Sequence, residues 1–372
     1  MTPTEHPSVP SADARGDDER SRGRRDARPP TIYDVADAAG VSHQTVSRYL
    51  RGYEGIRPAT RARVEQALDD LGYRPNLTAR SLKSGRSLRI GALTHEISHV
   101  GPSRNAQAAS IAAREAGYVL DLIFLDAHDA EAIRSSLDLL AQQDLAGILA
   151  LSSTDEMTRV FESTDFRVPT LIRTESDEIG RAGASELTGV GIPKAIGHLA
   201  DLGHRDFLHV AGPENWSAAR NRTRAFEFEM ARRGLRSSGV LAGDWSARSA
   251  FEAVAALPDP FTATAVLAAN DQMALGAMLA LKQRGLRIPE DVSVVGIDDI
   301  PEAAYFDPPL TTLRIDFASS GRASLQELLA LIDPALATKP ELPAPAELVV
   351  RASSGPAPAR TPDVGEPVRT AC

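Results

Sequence analysis

Between residues 31 and 84 the apolar positions recur at helical spacing, and this pattern predicts helices and no strands. The first predicted helix ends at Gly40, and Ser42 is a favourable N-cap for the second. A third helix begins at Pro58, a residue that the first helical turn tolerates, and a short fourth helix covers residues 77–83. This part of the chain is therefore predicted to be a small all-α domain.

From residue 88 onwards, short apolar runs alternate with amphipathic segments. The apolar runs predict strands over residues 88–93, 119–125, 147–151, 169–172, 207–210, 265–269 and 292–297. Helical periodicity lies between them, over residues 103–116, 131–143, 190–202, 218–233 and 271–284. This alternation predicts parallel sheets with helices on both faces. Because the segment is too long for one compact sheet, we expect an α/β core of two doubly wound parallel-sheet lobes that face a cleft.

The two ends of the chain differ from the middle in composition. Residues 1–28 and 354–372 are rich in proline or charge and show no apolar periodicity, so we expect disordered tails there. The patterns divide the remaining chain into an all-α domain with a helix-turn-helix arrangement, a short helix with a linker, and a two-lobed domain, at residues 29–75, 76–87 and 88–353.

Charge is distributed unevenly along the chain. The whole chain carries 41 Lys and Arg against 50 Asp and Glu residues, a formal net charge of −9. Residues 29–89 hold ten Lys and Arg against six acidic residues, net +4, whereas residues 90–372 carry net −13. A basic unit suits a polyanionic partner, which an acidic unit repels. The small helical domain is therefore the candidate for nucleic-acid binding.

Several classes of protein are excluded by the sequence. The single cysteine, Cys372, rules out an intramolecular disulfide and a cysteine-based metal site. No stretch approaches the roughly eighteen uninterrupted apolar residues of a membrane span. The first 28 residues have no apolar core of the kind that a secretory signal needs. We therefore expect a cytoplasmic, nucleoid-associated protein without a membrane, metal or cofactor.

The second predicted helix carries side chains suited to DNA. A helix, a glycine turn and a second helix can place the second helix in the major groove. In its first turns, Gln44 can bond adenine and Arg48 can bond guanine, while His43 and Ser47 project beside them. Serine and threonine hydroxyls here can reach phosphates. On pattern alone, a small helical bundle that binds protein remains the alternative.

A set of short motifs occurs in a fixed order over about residues 30–353. They are TIYDVA at 31–36, AGVS at 39–42, QTVSR at 44–48, LGYRPN at 71–76, ARSL at 79–82, LGHR at 202–205, AGP at 211–213, ANDQMA at 269–274, VVGIDD at 294–299 and PLTT at 309–312. In these motifs the chain resembles the lac repressor (LacI/GalR) family of transcription regulators, and in the core especially its lactose-type members. The resemblance implies a periplasmic-binding-protein-like core.

The resemblance implies two groups of DNA contacts. One group lies in the helix-turn-helix and comprises Thr31, Tyr33, Ser42, His43, Gln44, Thr45, Ser47 and Arg48. The other lies in residues 76–83, which the resemblance identifies as a hinge helix within the segment 76–87, and comprises Asn76, Ala79 and Leu82. Of these, Leu82 would enter the minor groove as an apolar wedge. A helix this short is marginal alone in water, so we expect it to form only with a partner hinge and DNA.

The core is predicted to bind a sugar effector in its cleft. Asn270 and Asp298 each follow a predicted strand, and ligands of open α/β sheets lie at the carboxyl ends of strands. Arg222 offers a forked donor and Trp245 a flat face for a pyranose ring. The resemblance adds to these the residues His99, Gly101, Pro102, Thr174 and Phe317.

Two departures from the lactose-type pattern affect the choice of effector. Thr174 stands where those members have an aspartate, and residues 95–102 form a polar loop where theirs is small and apolar. A galactoside is therefore only the first guess for the sugar.

The same loop contains His95-Glu96-x-x-His99, which matches a zinc hydrolase pattern in which one helix carries both histidines. The motif follows a strand directly, and Gly101-Pro102 is expected to end any helix there, so we do not expect an enzyme. A sugar-binding protein without a DNA role is the other alternative. It is disfavoured by the basic helical domain.

The resemblance predicts the mechanism and the assembly. A homodimer would bind a palindromic operator, and a sugar bound between the lobes would loosen the hinge helices and release the DNA. The segment beyond residue 330 contains four prolines before residue 346 and no sustained leucine heptad. We therefore expect a dimer and no tetramer-forming coiled coil.

Overall fold

The structure, a computed structural model, describes residues 30–50, 52–73, 87–95, 99–127, 129–175, 191–339 and 344–359. The chain divides into two compact units between Gly85 and Arg86. The predicted tail of residues 1–28 and the predicted hinge helix of residues 77–83 lie outside the described residues. Within the described ranges, no helix is long and apolar enough to cross a membrane.

The first unit contains three helices, α1 (Ile32–Ala39), α2 (His43–Leu50) and α3 (Pro58–Asp70). Their inward faces form one small core of Val35, Ala36, Ala39, Val46, Val64 and Ala67. This arrangement confirms the predicted all-α unit. A core with so few members gives only marginal stability. The hydrogen bonds that cap the helices are therefore important for the stability of this unit.

Local hydrogen bonds fix the turn between α1 and α2. A capping box begins α1, in which the Thr31 backbone N–H donates to Asp34 Oδ2 at 2.7 Å. Gly40 ends the helix at a φ of 61°, a left-handed conformation that favours glycine. Ser42 Oγ then accepts from the Thr45 backbone N–H at 3.2 Å, which caps α2 as the sequence predicts.

The second unit begins with a four-stranded parallel sheet. Its strands are β1 (Arg89–Thr94), β2 (Val119–Phe124), β3 (Gly147–Leu151) and β4 (Thr170–Arg173), in the order β2-β1-β3-β4. Helices cover both faces: α5 (Ala130–Leu140) and α6 (Asp155–Glu162) lie on one side, and α4 (Val100–Glu115) lies on the other with the late helix α11 (Phe317–Ile332). We call this part the N-terminal lobe.

The second sheet has six strands in the order β10-β9-β8-β7-β5-β6. They are β5 (Asp206–Ala211), β6 (Arg236–Ala242), β7 (Ala265–Ala268), β8 (Ser293–Ile297), β9 (Thr311–Arg314) and β10 (Glu347–Val349), and only β10 is antiparallel to its neighbour. The covering helices are α7 (Ile192–Asp201) and α8 (Ser217–Arg233) on one face and α9 (Ala247–Ala255) and α10 (Asp271–Gln283) on the other. We call this part the C-terminal lobe, and the two sheets confirm the predicted doubly wound core.

The chain order of these elements requires three passages between the lobes. The chain passes from β4 to α7, returns from β9 to α11, and crosses again from α11 to β10. The sequence pattern did not reveal these returns. Helix α11 packs against α4 and the first sheet, with Leu325, Leu328 and Leu329 buried there. Each lobe is therefore built from distant parts of the sequence.

The prediction of a disordered tail from residue 354 is wrong for its first residues. The Gly355 N–H donates to Ser293 Oγ at 3.0 Å, and the Ala357 N–H donates to the Leu202 carbonyl oxygen at 2.8 Å. These bonds of the backbone N–H groups fix residues 355 and 357 against the start of β8 and the end of α7. Backbone hydrogen bonds of this kind leave no apolar periodicity, so the sequence gives no sign of them.

Candidate functional site

The two lobes face a cleft at the carboxyl ends of their parallel strands, where a cavity of about 680 Å³ lies. The N-terminal lobe contributes residues after β3 and β4 and the starts of α4 and α11. The C-terminal lobe contributes residues around the starts of α8, α9 and α10 and the turn after β8. A cavity of this size lies within the usual range of small-molecule sites.

A buried ion pair lies in the wall of the C-terminal lobe. Arg222 of α8 and Asp298 after β8 are both about 95% buried, and Arg222 Nη2 donates to Asp298 Oδ1 at 3.4 Å. Arg222 Nη1 also donates to the Ala269 carbonyl oxygen. Burial raises the pKa of the Asp298 carboxyl to about 6, while Arg222 and Arg104 act in the opposite direction. The cavity therefore presents a forked cation and a partly desolvated carboxyl group side by side.

Asn270 connects the start of α10 to Trp245 within the same wall. It is the N-cap of α10, and its Oδ1 accepts from the Met273 backbone N–H at 2.7 Å. Its Nδ2 donates to the Trp245 carbonyl oxygen at 3.0 Å. Asn270 lines the cavity, but these bonds give it a structural role as well.

Aromatic rings form the apolar part of the cavity. Trp245 lies with its ring centroid 5.3 Å from Arg222 Cζ, and Trp216 packs edge-on against it at a centroid distance of 5.5 Å. Trp245 holds a φ of 72°, and a β-carbon on Gly212 would lie only about 2.5 Å from its ring, so glycine is needed there. The indole N–H groups of both tryptophans are buried and have no hydrogen-bond partner among the described residues.

The N-terminal lobe forms a more open wall. Arg173 ends β4, Thr174 follows it, and both are exposed. Arg173 pairs with Glu327 of α11 at 2.5 Å. The neighbouring Glu175 accepts from Asn221 Nδ2 of the C-terminal lobe at 3.1 Å. This wall therefore offers hydrated charges and hydroxyl groups to a ligand.

The lobes are also joined at the rim of the cleft. Arg220 of α8 donates both Nη atoms to the carboxylate of Asp155, at 2.9 and 2.8 Å. The Asp155 backbone N–H donates to the Asn215 carbonyl oxygen at 3.1 Å. These contacts hold the start of α6 against the loop that carries Trp216.

In the first unit, the surface of α1 and α2 exposes one group of polar and aromatic side chains. Tyr33, His43, Gln44 and Arg48 are exposed, and the rings of Tyr33 and His43 lie 5.1 Å apart. Ser42 is also exposed, while Thr31, Thr45 and Ser47 are half-buried. The exposed group can form hydrogen bonds with base edges and stacking contacts at the same surface.

Comparisons with known proteins agree with both parts of this geometry. Residues 31–76 match the bacterial regulatory proteins of the lacI family, and residues 196–354 match a periplasmic binding protein-like domain. The lactose operon repressor of Escherichia coli K12 is 34% identical over 306 residues, which cover 82% of this chain and 85% of that repressor. The ribose operon repressor of the same strain is 31% identical over 307 residues, which cover 80% and 92%.

Solved structures give the same answer. The lac repressor dimer bound to operator and the anti-inducer ONPF is similar with a TM-score of 0.75 at 33% identity, and the match covers 88% of this chain and all of that one. The transcriptional regulator CelR in complex with cellobiose follows with a TM-score of 0.63 at 28% identity, over 87% of this chain and all of that one.

This chain belongs to the lacI family of bacterial regulatory proteins. It is accordingly a DNA-binding regulator of transcription, and the resemblance stated from its motifs is confirmed.

All nine cleft residues predicted for this lacI-family chain line the cavity: His99, Gly101, Pro102, Thr174, Arg222, Trp245, Asn270, Asp298 and Phe317. Their contact with an effector stays a prediction. The sequence reasoning missed Trp216, Arg173 and Glu175. Trp216 is one of only two tryptophans and follows the AGP motif, so its position could have been noticed. The hinge-helix residues Asn76, Ala79 and Leu82 lie outside the described residues.

The zinc alternative lacks the geometry that it requires in this lacI-family chain. His95 follows β1 and His99 is the N-cap of α4, so no single helix carries both. Both rings pack edge-on against Trp216, and Glu96 lies outside the described residues. Over the part of the chain that the structure describes, no three His, Cys, Asp or Glu side chains are grouped to hold a metal ion. The expectation that Gly101-Pro102 ends a helix is wrong, because both lie in the first turn of α4, where proline is tolerated.

Proposed function

We propose that this protein is a dimeric repressor that binds a palindromic operator and is released from it by a sugar bound in the cleft. The observation that carries the effector part is the buried Arg222–Asp298 pair beside the ring of Trp245. A pyranose presents neighbouring hydroxyl groups and an apolar face, so a forked donor, a carboxyl acceptor and a flat ring complement it. The buried indole N–H groups add further donors for hydroxyl oxygens.

The proposal of operator binding rests on the side chains that α1 and α2 expose. His43 and Gln44 lie in the first turn of α2, and Arg48 lies one turn further along the same helix. We propose that these three read base edges and that Thr31, Tyr33, Ser42, Thr45 and Ser47 contact the backbone. Thr31 and Ser42 also cap helices, so their alanine variants would combine lost contacts with lost helix order.

A second copy of the chain is supported by exposed apolar side chains on both lobes. Leu279 of α10 is 51% exposed, Tyr305 is 87% exposed, and Phe124 on the edge strand β2 is 50% exposed. We propose that the second copy covers these side chains. A two-fold dimer would place two reading helices on two half-sites, as a palindrome requires. We further propose that the protein acts in the cytoplasm.

Calorimetry with a defined sugar panel tests the effector part. The panel contains galactose, lactose, methyl β-galactoside, glucose, cellobiose and ribose. We expect saturable binding of at least one sugar to the full chain, and loss of that binding in Asp298→Asn. Asp206→Asn is the matched control, because Asp206 is also buried and paired with arginine, but at the amino end of β5, away from the cleft. Binding to none of these sugars would contradict a sugar effector.

Selection from random duplex DNA tests the operator part. We expect the full chain to enrich a palindrome, and the sugar that binds to lower the affinity for it. The typical coupling of about 1–3 kcal/mol corresponds to roughly 5–150-fold. Enrichment of no palindrome would contradict a two-fold operator.

A further inference from the structure

Asp271 is a buried carboxyl group behind the cleft wall. It is the first residue of α10, is fully buried and does not line the cavity. Its Oδ2 accepts from the Ile300 backbone N–H at 2.8 Å, and its Oδ1 accepts from Thr312 Oγ1 at 2.5 Å. One side chain therefore ties the start of α10 to β9 and to the turn that follows β8.

That turn is strained at the residue that faces the cavity. Asp298 has a φ of 110° and Asp299 a φ of 49°, in the region that non-glycine residues rarely occupy. Such a conformation persists only where the surroundings hold it. Arg104 Nη atoms donate to the carbonyl oxygens of Asp298 and Asp299 at 3.2 and 3.3 Å, and Asp271 holds Ile300 immediately after them.

The approach of Asp271 to this turn depends on Gly296 in β8. A β-carbon at position 296 would collide with Asp271 Oδ1 and approach the Leu310 side chain to 2.9 Å. The carboxyl group therefore packs directly against the strand that ends at the turn. Its position is built into the fold and does not follow from a flexible surface contact.

We propose that Asp271 is a positioning residue for the effector: it holds the strained turn at residues 298–300 and so places the Asp298 carboxyl and the Arg222 guanidinium in the cleft. This inference rests on the proposed binding of a sugar in that cleft. Asp271 does not touch the effector in this scheme. It acts through the Ile300 backbone and through Asp298.

The charge state of Asp271 gives this role a measurable signature. Burial raises the pKa of the Asp271 carboxyl to about 8, and the neighbouring Asp298 adds to the rise. The charged groups around it are Asp298 and Asp299 in the turn, Arg222 of α8, Arg104 of α4, Arg314 of β9 and Arg351 beyond β10. The four arginines bond to the turn, so none of them donates to Asp271 itself.

At neutral pH the Asp271 carboxyl is therefore mostly protonated, and the surroundings of the turn carry one negative charge fewer than the sequence suggests. Above about pH 8 it ionises beside Asp298, and two buried carboxylates then repel each other. We expect the turn to open and the effector to bind less tightly as pH rises further. The linkage of one proton limits the fall in affinity to about tenfold per pH unit.

A ligand-free titration tests the inference first. Both tryptophans of the chain line the cavity, and Trp245 lies against Arg222, so indole emission reports on the turn. We expect two steps in emission between pH 5 and 9.5, near pH 6 from Asp298 and near pH 8 from Asp271. Asp271→Asn mimics the neutral acid, so it should lose only the step near pH 8. Asp206→Asn should keep both steps. A step near pH 8 that persists in Asp271→Asn overturns the proposal.

The binding measurement uses the sugar that the panel identifies. In the wild-type chain its affinity should fall above pH 8, whereas Asp271→Asn should bind within about twofold of wild type at pH 7 and stay level to pH 9. Asp271→Ala should lose about tenfold at pH 7, since both hydrogen bonds disappear, and asparagine should rescue it. An equal alkaline fall in wild type and Asp271→Asn contradicts the positioning role. A silent panel contradicts the sugar effector instead, and the emission titration still decides the role of Asp271.

Discussion

The two walls of the cleft are built in opposite ways. In the C-terminal lobe, the side chains of Arg222 and Asp298 are 5% and 7% exposed, and Asn270 and Trp245 are bonded into the same network. In the N-terminal lobe, the paired side chains of Arg173 and Glu327 are 43% and 52% exposed. Charges held out of water are costly to disturb, whereas hydrated charges are not. The side chains of the C-terminal wall are therefore fixed in position, whereas those of the N-terminal wall can be replaced at little cost in stability. We call them the fixed wall and the variable wall.

The departures from the lactose-type pattern follow this division. Asn270 and Asp298 lie in motifs that match the family, and both belong to the fixed wall. Thr174 and the segment of residues 95–102 depart from the pattern, and Thr174, His99, Gly101 and Pro102 belong to the N-terminal lobe. We infer that the C-terminal wall recognises what sugars have in common and that the N-terminal wall selects among them.

Removing the buried cation should break the fixed wall most severely. Arg222→Met leaves Asp298 buried without its partner and removes a donor from the Ala269 carbonyl oxygen. Breaking a buried pair on one side costs about 3–5 kcal/mol, so we expect a loss of that size in the free energy of unfolding. Urea denaturation at pH 7 measures it. A loss under about 1 kcal/mol would show that the wall is more hydrated than its burial indicates.

The sequence predicts the fixed wall better than the variable one, for a physical reason. Asn270 and Asp298 follow apolar runs that are recognisable strands, so their place at the cleft follows from strand order alone. Arg173 and Glu327 meet only because α11 returns to the first lobe, and no local pattern marks that return. Strands β6, β9 and β10 were missed for a related reason. They are short or only partly apolar, and their pairing is set by distant segments.

The titration of Asp298 should make the stability of the fixed wall depend on pH. The folded pKa of Asp298, about 6, lies above its ordinary value of 3.8, so the folded state keeps this proton longer than the unfolded state does. The resulting stability is complete below pH 3.8 and is lost as pH rises through about 6. One pH unit corresponds to about 1.4 kcal/mol. The free energy of unfolding of the wild type, relative to that of Asp298→Asn, should therefore fall by at most about 3 kcal/mol between pH 4 and 7. Urea denaturation at each pH measures this difference, with Asp271→Asn present in both chains, because the removal of the Asp298 charge would also lower the pKa of Asp271.

A constant difference across that range would contradict a raised pKa at Asp298. Asp291→Asn gives a control of opposite sign, because Arg287 lowers the pKa of the Asp291 carboxyl to about 2. Its contribution to stability is present above pH 3.8 and is lost as pH falls through about 2, so it leaves the range from pH 4 to 7 nearly unchanged.

The smallest expected effect lies on the N-terminal wall. Arg173→Met removes the bonds from Arg173 to Ser324 Oγ and to Glu327, both formed by a side chain that is nearly half exposed. Exposed pairs contribute about 0–1 kcal/mol, so the free energy of unfolding should change by no more than that. The ranking of the sugar panel should change instead, since the altered wall faces the ligand while Arg222 and Asp298 stay in place. Glu327→Gln separates charge from shape at the same pair. If Arg173→Met destabilised the protein as much as Arg222→Met, or left every relative affinity unchanged, the division between a fixed and a selecting wall would be wrong.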